Sequence, residues 1–189
     1  NFTWAKWVTP SRDLISAFKQ EGDEVRFKES IVYYDCNWSN YYPSDNYPFM
    51  YKCRSANSSI IKYRYADVLL LKAEALIMQD TPDLEGAADI IDEVRDRAKL
   101  GALPTSVRSN KNVLLNALLK ERRLELAFEG QRWFDLVRLD KVEEVMNAVY
   151  AKDSGRKAQI YTFDKNSYRL PIPQSVIDAN DKIHQNPGY

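Results

Sequence analysis

The sequence predicts a mainly α protein with long irregular loops and a minor β hairpin. Two observations carry this fold class, and a third adds the hairpin. From Tyr63 onward, apolar side chains recur at helical spacing through most of the chain. Residues 1–62, by contrast, are dense in Asn, Ser, Tyr and Pro and hold one helical stretch. Tyr161-Thr162-Phe163 and Tyr168-Arg169-Leu170 flank an Asp-Lys-Asn turn, a strand–turn–strand pattern. We expect an aromatic-rich, loop-dominated segment over 1–62 and a helical region over 63–189, packed as one compact unit.

In chain order, Pro10-Ser11 opens the first helix, because a serine side chain accepts from the free amides of a first turn. Leu14, Ile15 and Phe18 share one face, and Gly22 is the stop. Residues 37–59 follow as turn chemistry. Residues 64–79 are apolar nearly all round, with alanines at 66, 73 and 75, which predicts a helix buried between neighbours. Asp80-Thr81-Pro82 ends it and caps the next helix, which runs to about Lys99 with Ala87, Ile90, Ile91, Val94 and Ala98 on its stripe. Its opposite face, with Asp89, Asp92, Glu93, Arg95, Asp96 and Arg97, reads as solvated.

These two helices form an αα-hairpin of about 35 residues, the size of one tetratricopeptide unit. Tetratricopeptide-like packing is therefore expected, with other helices as partners, since a lone unit is rarely stable. A third helix fits residues 111–129, with Gly130 as the left-handed residue beyond its end. A short helix over 131–139 and an amphipathic one over 141–150 follow. Leu170-Pro171-Ile172-Pro173 must be extended, and Ser175 caps one last turn.

Composition narrows the function. Lys+Arg and Asp+Glu total 27 each, so the net charge is zero and the pI is near 6.8. That balance argues against nucleic acid and against an anionic membrane surface as partners. His184 is the lone histidine and there are two cysteines, so zinc sites and histidine acid/base chemistry are poorly supplied. No apolar run approaches the roughly 18 residues of a membrane span. No phosphate loop, nucleophile elbow, CxxC pair or dinucleotide fingerprint occurs. We expect no cofactor, no metal and no enzymatic activity. The chain opens at Asn1 rather than methionine, which points to processing or truncation. Cys36 and Cys53 admit two readings, a short disulfide loop in an exported protein or two unpaired thiols.

Two constellations carry the remaining chemistry. Glu121, Glu125 and Glu129 lie at four-residue spacing among Arg122, Arg123 and Arg132, with Asp135 and Arg138 beyond. Such carboxylates suit an acid/base pair or a di-metal bundle, but the bundle expects Glu-x-x-His and no histidine is near. Ion pairs that lock helices together fit better. Trp133 and Phe134 read as core anchors of the short helix after Gly130. The second constellation is aromatic: 15 of 23 aromatic residues fall within the first 65 positions. Tyr33, Tyr34, Trp38, Tyr41, Tyr42, Tyr47, Phe49 and Tyr51 sit in turn-rich sequence, where rings divide between packing and ligand contact. Exposed Tyr and Trp on loops suit sugars, whose CH faces stack on rings while Asn, Asp or Arg bond their hydroxyls.

Four segments together resemble the SusD/RagB family: RYADVLLLKAEAL from Arg64, IIDEVRDRAKL from Ile90, ERRLELAFEGQRWFDLVRL from Glu121, and YRLPIPQSVIDAN…QNPGY from Tyr168. The opening WVTPSRDLISAF is similar to the family's P-x-x-L-x-x-A-F segment. On these residues the structural motif comprises Arg64, Glu74, Glu121, Arg122, Arg123, Glu125, Gly130, Arg132, Trp133 and Asp135. Lys72 and Lys99 depart from it, standing where the family often has an aromatic residue and glycine respectively, which suggests altered helix neighbours. The resemblance implies the C-terminal part of a longer, non-catalytic glycan-binding lipoprotein. It further implies a place on the outer-membrane surface, held by an N-terminal lipid anchor absent from this chain, over a SusC-like TonB-dependent transporter. Loop context alone selects Trp38, Tyr41, Tyr42 and Tyr47 as candidate glycan contacts. Two competing classes are a helical protein- or peptide-interaction module and an α-helical glycoside hydrolase fragment using Glu121 and Glu125.

Overall fold

A computed structural model describes residues 8–52, 61–152 and 162–189. They fall into two compact units, the first ending at Arg132 and the second beginning at Trp133. No helix of the described residues is long and apolar enough to cross a membrane.

The first unit opens with α1 (Arg12–Glu21), capped where the sequence predicts. The Ser11 hydroxyl accepts from the Leu14 amide at 3.1 Å, and Gly22 takes φ 67°, the left-handed turn glycine allows. A second helix, α2 (Glu24–Ser30), starts at once with Asp23 as its cap. It is too short, with Val25 and Phe27 alone as large apolar residues, to show a helical period in the sequence.

Two strands follow, β1 (Ile31–Tyr34) and β2 (Tyr47–Met50), antiparallel with Ile31 opposite Met50 and Tyr34 opposite Tyr47. Among the described residues the small sheet therefore lies here and not at 162–170. Tyr161 is outside the described residues, 162–164 are irregular, and Lys165–Tyr168 is a 3-10 turn. The physical reason lies on Asn147. Its side-chain amide donates to the Phe163 carbonyl and accepts from the Phe163 amide, both at 2.9 Å, and so stands in for a strand neighbour.

The helical core is built from α3 (Tyr65–Met78), α4 (Leu84–Arg97), the single turn α5 (Thr105–Arg108) and α6 (Lys111–Glu125). Leu70, Ala73 and Ile77 of α3 meet Ala87, Ala88, Ile91 and Val94 of α4 and Leu114 and Leu118 of α6. The alanines let the backbones approach. Asp83, not Asp80-Thr81-Pro82, caps α4, accepting from the Gly86 amide at 2.9 Å. One side of α3 is not buried between neighbours as expected, since Tyr65, Val68, Leu71 and Met78 are exposed. At the end of α4, Lys99 adopts φ 63°, and its amide and that of Leu100 bond back to Asp96 and Arg95. This is the left-handed cap position that glycine suits. The departure from the family residue thus falls on an exposed helix end rather than on a helix contact.

Helix α6 stops at Glu125, four residues before the expected end. Phe128 at φ 66° and Gly130 at φ 80° turn the chain sharply in between. A left-handed conformation is strained for a phenylalanine, and packing holds it: the ring lies against a second core of Ile15, Ala17, Phe18, Ile31, Leu124 and Ala127. The turn leads into α7 (Arg132–Arg138).

The second unit continues with α8 (Val142–Lys152) and α9 (Gln174–Asp178). Phe163 stacks on Tyr150, ring centroids 5.4 Å apart, and meets Trp133 edge-on at 6.4 Å. Trp133 is a scaffold ring, whereas Phe134 is 66% exposed and anchors no core. Residues 170–173 lie in neither helix nor strand, and Pro173 takes φ −55° and ψ 135°. The Gln185 side chain bonds both backbone groups of Ile172, at 2.8 and 2.9 Å. Pro173 caps α9, and Ser175 lies inside it.

Candidate functional site

The charged constellation is a buried ion-pair network that ties α2, α3, α4 and α6 together. Arg26 Nη1 reaches Glu121 at 2.5 Å and Glu125 at 3.1 Å. Arg64 donates to Glu125 at 2.6 Å and forks onto Glu129 at 2.8 and 2.9 Å. Arg97 pairs with Glu125, Lys52 with Glu129, and Arg95 with Glu21 and Glu121. Arg122 is paired with Asp67 at 2.9 Å, both buried, and Arg123 with Asp13 at 2.6 Å. Arg132 donates to the Leu119 carbonyl, Asp135 pairs with Arg138, and Glu74 is half-buried on α3.

Burial pushes the Glu121 carboxyl up, against the pull of Arg26 and Arg95. Burial acts on Glu125 and Glu129 too, but the hydrogen bonds of Arg64, with Arg97 and Lys52, outweigh it and hold both below the usual range. Divergent carboxyl values are what an acid/base pair needs. Here, however, Glu121 and Glu125 are each 2% exposed, and both oxygens of each accept from arginine. At that burial neither carboxylate faces the solvent, and the arginines tie both into the packing of the helices. The two halves of the carboxylate row are also differently placed, since Glu129 lies beyond the end of α6 and Arg64 brings it back to Glu125.

The aromatic constellation is built by the small sheet. Strand β2 buries Tyr47 and Phe49, at 3% and 1% exposure, and the 35–46 connection carries the remaining rings around them. A continuous run results: Trp38 to Phe49 at 5.7 Å between centroids, Phe49 to Tyr47 at 4.9 Å, Tyr47 to Tyr42 at 5.6 Å, and Tyr42 to Tyr41 at 4.9 Å. Its middle is interior and its ends reach water. Trp38 is 59% exposed, while Tyr41 and Tyr42 are half-buried. The Tyr47 hydroxyl meets Ser39 Oγ at 2.8 Å, and Thr9 donates to it at 3.3 Å. Tyr47 therefore supports the loop from beneath and offers no free face.

Tyr41 and Tyr42 line an open cleft of about 480 Å³ with Ser39, Asn40, Pro43 and Ser44. Neither Trp38 nor Tyr47 lines it. Arg12 is a member that the sequence did not single out. Its guanidinium carbon lies 3.9 Å over the Tyr41 ring centroid and 4.7 Å from that of Tyr42, and its Nη2 donates to the Tyr41 carbonyl. Its partner Tyr41 lies 29 positions along the chain, so no local pattern in the sequence marks it. Cys36 is buried beside Tyr47 and Phe49, while Cys53 lies outside the described residues, as does any pairing of the two. Among the described residues no group of three metal-ligating side chains converges. Chemically, the cleft offers ring faces, an amide and hydroxyls.

Residues 42–189 match the model of the SusD family. The chain belongs to that family. It is 36% identical over 143 residues to SusD-like protein P2 of Formosa agariphila, covering 72% of this chain and 27% of that protein. Among solved structures, a SusD superfamily protein from Parabacteroides distasonis superimposes with a TM-score of 0.70 at 25% identity, over 96% of this chain and 42% of that one. A laminarin-binding SusD-like protein gives a TM-score of 0.61 at 26% identity, over 99% of this chain and 42% of the other. The chain spans 19 to 27% of the length of the curated relatives it matches.

Proposed function

We propose that this chain captures a glycan, without transforming it, on the aromatic loop between β1 and β2. The observation that carries the reading is the run of five rings. Its buried centre fixes its solvent-facing ends, Trp38 and Tyr41, beside a cleft edged by Ser39, Asn40 and Ser44. Trp38, Tyr41 and Tyr42 are the contact rings, and Tyr47 acts by holding them. Pre-set rings bind a sugar face without first losing their own freedom. Family membership supports the choice of ligand class, as does the fold shared with a laminarin-binding relative.

On the same family grounds, the bound glycan passes to a SusC-like TonB-dependent transporter at the outer-membrane surface, where a lipid anchor holds the protein. Affinity electrophoresis against a panel of polysaccharides tests the capture step. Retardation by at least one is expected, and migration unchanged by all of them would remove the reading.

One observation favours a protein-interaction module as a second role: the exposed side of α3 presents Tyr65, Val68, Leu71 and Met78. An apolar stripe of this kind suits a helix of a protein partner. Alanine at Trp38 and Tyr41 separates the roles, because it removes glycan retardation and leaves pairing with the transporter intact.

A further inference from the structure

Residues 31–50 contain no lysine or arginine and two carboxylates, Asp35 and Asp45, both exposed. The Cys36 amide donates to the Ser44 carbonyl at 2.7 Å, so their immediate neighbours, Asp35 and Asp45, flank one and the same cross-loop hydrogen bond. Ser44 itself lines the cleft, so Asp45 follows a lining residue directly and Asp35 precedes the residue bonded to it. Among the described residues, Arg12 is a cation set against these rings. Its guanidinium lies over the Tyr41 ring and its Nη2 donates to the Tyr41 carbonyl, so the group is engaged by the loop itself. The next base along the chain, Lys52, is held by Glu129 and the Glu125 carbonyl.

We propose that the site is specific for uncharged glycans and rejects polyuronates and sulfated polysaccharides. Asp35 and Asp45 supply the repulsion, and Arg12 acts as a positioning residue that holds Tyr41 and Tyr42. This rests on the glycan-capture reading above and adds the substrate class to it. Selectivity of this kind comes from like charge set against the wrong ligand as much as from contacts with the right one.

The test uses the full chain in affinity gels and calorimetry. Neutral probes are laminarin, starch and galactomannan; anionic probes are alginate for carboxylates and carrageenan for sulfate esters. The expected result is binding confined to neutral polymers, with affinity changing less than about twofold between about 50 and about 500 mM NaCl. The doubly substituted Asp35→Lys/Asp45→Lys chain is expected to gain retardation by alginate or carrageenan that salt abolishes. Wild-type binding to an anionic polymer at least as tight as to any neutral one, weakening with salt, overturns the proposal. So does a lysine variant that gains nothing, because the carboxylates then set no selectivity. Binding to none of the probes defeats the capture reading itself, and this inference with it.

Discussion

The Tyr42 hydroxyl donates to the Pro10 carbonyl at 2.9 Å, and so fastens the aromatic loop to the residue that leads into α1. The ring stands edge-on between Tyr41 and Tyr47, and it packs against two of the apolar clusters. Tyr42→Phe keeps the ring and removes the tie. A part-buried hydrogen bond of this kind contributes about 0.5 to 1.5 kcal/mol, and urea unfolding should show a loss in that range. A loss near zero contradicts the role given to this contact.

Much of the scaffold was legible because its causes are local. Ser11 and Gly22 bracket α1 by side-chain and backbone chemistry that depends on their immediate neighbours alone. The α3–α4 hairpin shows in the spacing of Leu70, Ala73, Ile77, Ala87, Ile91 and Val94. What was not legible depends on distant partners. Asn147 occupies both backbone groups of Phe163, so a strand-like sequence makes no strand there. Tyr34 and Tyr47 face each other across a sheet whose strands are 12 residues apart. The loop rings were visible as candidates, but no one-dimensional pattern separates exposed Trp38 from buried Tyr47. Arg12 acts across 29 positions of sequence.

Lys99 offers a substitution that should stabilise. It is exposed, it holds φ 63° after α4, and its side chain is not needed for the turn, which backbone bonds to Asp96 and Arg95 close. Lys99→Gly removes the strain of a Cβ in that conformation. A gain of about 0.5 to 1 kcal/mol is expected, read as a higher thermal midpoint. A lower midpoint would falsify the account of this cap.

Glu125 is the hub of the buried network, meeting Arg26, Arg64 and Arg97. Glu125→Ala leaves three arginines with one partner fewer, and Arg26 is itself buried. Loss of one member of a buried pair costs about 3 to 5 kcal/mol. Denaturant unfolding should register a drop of that size, whereas an unchanged midpoint means the network adds nothing.

The same groups set the response to acid. Folding lowers the carboxyls of Glu21, Glu125 and Glu129 below their usual 4.5, through Lys120 and Arg95 at the first and Arg64 at the other two, against the upward push of burial. Each therefore adds stability that is complete above the unfolded value and is lost as pH falls through the lower, folded one. Glu121 runs the other way: burial raises it, so its contribution weakens as pH climbs from 4.5 through the folded value. Three groups oppose one, and the thermal midpoint should fall steadily as pH drops below 4.5. Glu129→Gln should flatten that decline. An equally steep decline in the variant contradicts the assignment.

Glycan capture by the solvent-facing ends of the ring run is the central claim. The measurement that tests it most directly is calorimetric titration of the best neutral polysaccharide into wild-type protein and into the Trp38→Ala/Tyr41→Ala variant, with circular dichroism confirming that the fold is kept. Removing both stacking faces should weaken binding by about tenfold or more, equivalent to about 1.4 kcal/mol. Undiminished affinity in a folded variant would place the sugar elsewhere and contradict the account.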